Sequence, residues 1–332
     1  WLTRHGDGPD TSVHLEVFPT LPDAWIAPDL AQRWARIRDL RRVVTGAIEL
    51  ERAAKRLGSS LQAMVTIHVD PDRALARALE LEEEGADIID VGAESTRPGS
   101  ARISEGEELR RLVPVLKRLV GKLSIPISVD TYKSAIVEKA VEYGAEIIND
   151  PSGLTFDPGL ARACANHDTG LILNHMRGTP ETWPKLPPLK DVMGSILSDL
   201  DACVHRARLS GVDKLRMVLD PGVGFGKRKD QDAEILARLP ELARLELPIL
   251  VGVSRKSFLA QPTEAETLFA TCAAVTVSIL GGAHLVRVHD VKAAKAVVHV
   301  ADMVCEQQLR LAEREPAPEK PRGAAHGPSQ RR

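Results

Sequence analysis

The sequence predicts an α/β protein: a (β/α)8 TIM barrel with an N-terminal helical extension and a disordered C-terminal tail. Seven short apolar runs recur between residues 86 and 290, each bounded by Gly, Pro or polar turn residues. Amphipathic stretches separate the runs. The span from 64 to 311 has the ~250 residues usual for such a barrel. No GxGxxG follows the first run, which counts against a dinucleotide-binding sheet.

Taken in order, residues 1–63 precede the barrel and read as helical from about 28 to 56, with Gly58 stopping the helix. MVTIHV (64–69) is placed to be the first barrel strand, with DRALARALELEEEG as its helix, and ADIIDVG (86–92) is the next strand. In SEGEELRRLVPVLKRLV, Leu109, Leu112, Val113, Leu116 and Leu119 share one face, and Ser104 followed by Glu107 reads as a capping box. After PISVD (126–130), Ile136, Val137, Ala140 and Val141 form a stripe ending at Gly144, a residue suited to a C-terminal cap. AEIIND (145–150), GLILNHM (170–176), RMVLDPG (216–222), PILVGVS (248–254) and HLVRVHD (284–290) follow. Each is too short for a buried helix and apolar enough for a strand covered on both faces. Residues 312–332 are polar and rich in Pro and Gly, and read as disordered.

Composition narrows the function. With 44 basic and 46 acidic residues the formal charge is −2, so no bulk field draws the chain to nucleic acid or membrane. Cys164, Cys203, Cys272 and Cys305 form no CxxC pair and read as reduced thiols of a cytoplasmic protein. No run of 18 apolar residues occurs and no signal peptide opens the chain, which agrees with that location.

In a (β/α)8 barrel the site lies at the C-terminal strand ends, where the loops converge. Here those ends are polar: Glu94 to Arg97, Asp130, Asn149 with Asp150, Asn174 with His175, Asp220, Ser254 with Arg255 and Lys256, then Arg287, His289 and Asp290. Helix capping explains one such residue; it does not explain all seven ends, because burying charge without a partner is costly. Asp130, Asp220 and Asn149 suit a polar heterocycle with ring donors and acceptors. Arg97, Arg255, Lys256, Arg287 and His289 suit phosphate or carboxylate. No HxH, HExxH or zinc-spaced Cys/His cluster appears, against a metallohydrolase.

DVGAESTRPGS, ISVDT, EIINDPSG, ILNHMRGTPET, VLDPGVGFGK, VGVSRKSFL and RVHDV occur in order at these strand ends. Over about 70–305 the chain thereby resembles the dihydropteroate synthase family. The resemblance implies condensation of 6-hydroxymethyl-7,8-dihydropterin diphosphate with 4-aminobenzoate to 7,8-dihydropteroate and diphosphate, with Mg²⁺ and a homodimer. It also implies pterin contacts by Asp130, Asn149, Asp220 and Lys256, and a diphosphate grip by Arg287 and His289. Thr96 and Arg97 would cover the reacting centre, and Ser254 and Phe225 would border the aminobenzoate pocket. Catalysis would rest on Asp130, Lys256, Arg287 and His289. The same pterin residues would suit a methyltetrahydrofolate-type methyltransferase, which has no need of the anion grip; a non-catalytic pterin-binding fusion is the other alternative.

Two departures stand out. Asn174 takes a place where the family often has an apolar residue. The family's first loop, like NVTPDSFSDGG with its metal-contacting Asn, has no counterpart; aligning IHVDPD on it makes His68 the candidate metal ligand. Residues 11–63, with SVHLEVFP and ERAAKRLGSSLQA, resemble instead the anticodon-binding region of isoleucyl-tRNA synthetase. HIGH and KMSKS are absent, which excludes aminoacylation.

Overall fold

A computed structural model describes residues 70–97 and 100–314, together with the helical positions Gln32, Trp34, Ala35 and Arg38. Those four fall within the helix expected over 28–56. The rest of that helix, the strand expected at 64–69, His68 and the tail beyond 314 lie outside the described residues. Two compact units divide after His68, and the elements below belong to the second.

Helices and strands alternate: α1 (Pro71–Glu83), β1 (Ile89–Gly92), α2 (Glu105–Leu119), β2 (Ile127–Asp130), α3 (Ser134–Glu142), β3 (Ala145–Asp150), α4 (Leu160–Asn166) and β4 (Gly170–Asn174). Then come α5 (Val192–Leu209), β5 (Met217–Asp220), α6 (Lys229–Ala237), β6 (Leu250–Val251), α7 (Glu264–Leu280), β7 (Leu285–Val286) and α8 (Val291–Arg314). β1 to β5 pair in parallel and in chain order, β6 pairs with β7, and a parallel bridge between Leu219 and Ile249 links the two sets. Parallel neighbours joined in sequence by helices make the TIM barrel; seven of its strands lie among the described residues.

Local chemistry sets several boundaries differently from expectation. Asp70 caps α1 directly, its Oδ1 accepting from Asp72 N at 2.9 Å with Pro71 in the first turn. DPD is therefore a helix start, which leaves it no part in a first loop. Ser104 caps α2, but Glu107 does not complete the box: its carboxylate accepts from Arg110 and Arg111, which hold its pKa down to about 2. The full capping box is Thr263 with Glu266 at α7. Val115, not Val113, joins Leu112, Leu116 and Leu119 on the core. Gly144 ends α3 at φ +82°, as its position suggested. α8 runs to Arg314, three residues into the stretch expected to be disordered.

Strand alternation then separates two faces. Val129, Ile148, Leu171, Leu173 and Leu219 lie at or near zero exposure, and with Leu112, Leu116, Ile136, Ile196 and Leu200 they make the layer between strands and helices. The opposite parity carries Asp90, Asp130 and Asn149 toward the barrel mouth, and adjacent strands register Gly92 beside Asp130 and Asp130 beside Asn149.

Candidate active site

The acidic part of the site is built by that register. Asn149 Nδ2 donates to Asp90 Oδ2 at 3.1 Å, and Arg287 bridges two strands, Nη1 reaching Asp90 Oδ2 at 3.5 Å and Nη2 donating to Asp220 Oδ2 at 3.1 Å. Asn149 and Asp220 are almost fully buried, and Asn149 Oδ1 has no partner, an acceptor left for a ligand. Gly92 makes room for Asp130: a Cβ at 92 would stand 3.2 Å from the Asp130 Cβ. Enclosure by protein, then the neighbouring Asp90 charge, push the Asp130 pKa up to about 8, while Arg287 works the other way.

The glycine-rich turn after β5 forms the floor. Asp220 Oδ1 accepts from Gly222 N at 2.8 Å. Gly222 sits at φ +67°, and a Cβ there would lie 1.9 Å from His175 O, so only glycine fits. Lys227 Nζ donates to three carbonyls, His175 O (2.9 Å), Gly222 O (2.7 Å) and Phe225 O (3.3 Å). Burial brings its pKa down to about 7. Phe225 is thus fixed with the Lys256 ammonium 4.4 Å from its ring centre and Trp183 edge-on at 5.5 Å.

The cations come from turns after β6 and β7. Arg255 takes the left-handed conformation (φ +56°), and its guanidinium turns to Asp290, donating at 2.7 and 3.2 Å. It is spent on that pair. Lys256 faces the site, where burial and then Arg287 lower its pKa. His289 Nδ1 lies 2.8 Å from Ser254 Oγ, which also accepts from His289 N at 3.2 Å. Burial and then Arg255 lower the His289 pKa, and Arg97 is near enough to add to this. Arg97 is exposed and Thr96 half-buried on the turn after β1.

The sequence-derived residues Asp130, Asn149, Asp220 and Arg287 therefore converge, Lys256 joins Phe225, and Ser254 joins His289. Other polar strand ends hold turns instead. Asp150 accepts from Ser152 N, Ser152 Oγ and Leu154 N at 2.8, 2.7 and 2.5 Å, and its pKa is pushed up to about 6 by burial. Asn174 Nδ2 donates to Pro151 O at 2.7 Å. His175 Nε2 lies 3.1 Å from Asp199 Oδ2, and burial brings its pKa down to about 4, so the ring is neutral. Two residues were missed. Asp90 had a signal: a carboxylate inside an apolar run, two before a glycine, must share the inward face. Lys227 had none, since only the folded chain brings its three carbonyls together.

Among the described residues no group of three His, Cys, Asp or Glu side chains stands ready to hold a metal ion. His68, the candidate metal ligand, lies outside the described residues.

Residues 58–289 match the family described as pterin binding enzymes. A dihydropteroate synthase of Synechocystis sp. is 42% identical over 233 residues, covering 69% of this chain and 81% of that protein. The dihydropteroate synthase from Clostridium difficile, solved in the presence of pteroic acid, is 40% identical with a TM-score of 0.66, over 70% of this chain and 88% of that one. The Xanthomonas albilineans enzyme with 4-aminobenzoic acid is 37% identical with a TM-score of 0.66, over 73% of this chain and 86% of that one.

Proposed function

The chain belongs to the pterin binding enzymes, and from that membership we propose that it is a dihydropteroate synthase. The observation that carries the proposal is the meeting, at one barrel mouth, of Asp130, Asn149 and Asp220 with Lys256 and His289. Asn149 Oδ1 and the carboxylates suit the N–H groups and ring acceptors of a pterin. Lys256, Arg287 and His289 suit the diphosphate, and Phe225 with Ser254 borders the place for 4-aminobenzoate. Thr96 and Arg97 stand over it.

In this reading the bond between the pterin methylene and the diphosphate oxygen breaks, and the electron pair leaves with diphosphate. The methylene becomes cationic, Asp130 supplies negative charge opposite it once the proton that burial holds on its carboxyl has left, and the cations stabilise the departing anion. The aryl amine then forms the C–N bond and gives up a proton. Positioning does much of the work. Mg²⁺ would accompany the diphosphate and neutralise part of its charge.

Among the described residues no helix is long and apolar enough to cross a membrane, and the free cysteines suit the reducing cytoplasm. α7 and α8 pack together and expose Phe269, Val277, Val300 and Met303. An apolar face of this kind supports a homodimer. For residues 11–63 the proposed origin is an isoleucyl-tRNA synthetase segment without aminoacylation chemistry.

The test is to incubate the purified 332-residue chain with both substrates and Mg²⁺. One diphosphate released per dihydropteroate formed, lost in Asp220→Asn, is the expected result. Tight pterin diphosphate binding with no product would leave a binding protein instead.

A further inference from the structure

Beside the site runs a buried ion cluster that the proposed chemistry does not use. The Lys133 ammonium, on the turn after β2, sits between Glu94, at 2.6 Å on the turn after β1, and Glu108 of α2. The three side chains are only 10%, 11% and 1% exposed. Burial opposes the ammonium, but its hydrogen bonds to Glu108 and Glu94 outweigh this and hold its pKa above the usual lysine value. Glu94 is the hub. Its Oε1 accepts from Tyr132 Oη at 2.8 Å, and its Oε2 also accepts from Ile103 N at 3.2 Å, closing the turn back on itself.

Aromatic contacts extend the same tie. Tyr132 meets Phe156, from the turn after β3, edge-on at 5.1 Å, and the Arg102 guanidinium lies 3.8 Å over the Phe156 ring. Two consecutive βα turns are thus joined through one buried charge, and the third is tied on through the Phe156 ring. Thr96 and Arg97 follow Glu94 by two and three residues on the same turn, and Arg97 reaches the electrostatic neighbourhood of His289 across the mouth. A cluster this buried is a poor source of stability for its own sake, because desolvation offsets the attraction. Geometry is what it secures.

We propose that Lys133 is a positioning residue: through Glu94 it holds the turn bearing Thr96 and Arg97 over the reacting centre, so that the second substrate meets an ordered wall. The proposal rests on the dihydropteroate synthase reading, and its test includes a readout that does not depend on turnover. Trypsin cannot cut after Arg97, which precedes Pro98, but it can cut between Arg102 and Ile103, next to the Ile103 N–Glu94 bond. Cleavage there reports local opening of the turn.

Lys133→Met is compared with Lys133→Arg and with Lys133→Met/Glu108→Gln, which removes the carboxylate otherwise stranded in the core. The expected result is cleavage at Arg102 about 10-fold faster in both Met variants, with cuts elsewhere unchanged. The 4-aminobenzoate KM should rise about 10-fold while pterin diphosphate binding stays within about 2-fold, and Lys133→Arg should restore both. Unchanged cleavage at Arg102 in the double variant, or a loss of pterin affinity equal to the loss for 4-aminobenzoate, would overturn the inference. Absence of turnover in the wild-type chain would sink the functional reading alone; the cleavage comparison would still decide the turn.

Discussion

The acidic and basic halves of the barrel mouth are built by different means. Asp90, Asp130, Asn149 and Asp220 stand in strands, where the parallel register sets Asp130 beside Asn149 and the strand parity turns Asp90 to the same face. Ser254, Lys256, Arg287 and His289 follow strands only two residues long, and side-chain pairs place them: His289 on Ser254, Arg255 on Asp290, Arg287 between Asp90 and Asp220. The acidic half is a property of the sheet; the basic half is a property of its contacts.

The largest effect that would break this contrast comes from Asp220 and Lys256. Asp220→Ala or Lys256→Ala should weaken pterin diphosphate binding by on the order of 100-fold or more in titration calorimetry, since the first strips Arg287 of a buried partner and the second removes the buried cation that faces the site. Near-normal binding in both would refute the site assignment.

Next comes a core change that should spare the site. Leu116 is fully buried between α2 and the sheet, so Leu116→Ala should cost ~2–5 kcal/mol in urea unfolding. The ligand affinity of the folded protein should not change.

A pH series sharpens the acidic half. The Asp130 carboxyl titrates at about 8 in the fold against about 3.9 in an unfolded chain. Between those values the folded state holds the extra proton, so this group's contribution to stability falls as pH rises from about 4 to 8. Asp130→Asn should flatten the slope in that window. Proton uptake that is the same for both proteins between pH 5 and 8 would contradict the assignment.

The smallest effect lies outside both halves. Thr263→Ala removes the hydroxyl that caps Glu266 N at 3.1 Å and should cost about 1 kcal/mol, read as a small fall in Tm with turnover intact.

The strand–helix alternation was legible because its periods are local. Leu112, Leu116, Ile136 and Val137 went to the core as their spacing required, and Asp130 and Asp220 followed from their place at strand ends. Which side chains pair was not legible. Glu107 reads as a capping partner in sequence, yet Arg110 and Arg111 lie within one turn and take its charge. Arg255 looks like a ligand cation until the fold brings Asp290 beside it. Lys133 and Lys227 look like ordinary turn lysines until burial removes every partner but the ones they hold.

The most direct measurement titrates two ligands, the pterin diphosphate and the same pterin without diphosphate, into wild type, Asp220→Asn and His289→Ala. Separate halves predict that Asp220→Asn weakens both ligands by a similar factor, whereas His289→Ala weakens only the diphosphate form. If both variants weaken both ligands alike, the mouth is a single undivided site and the contrast drawn here is wrong.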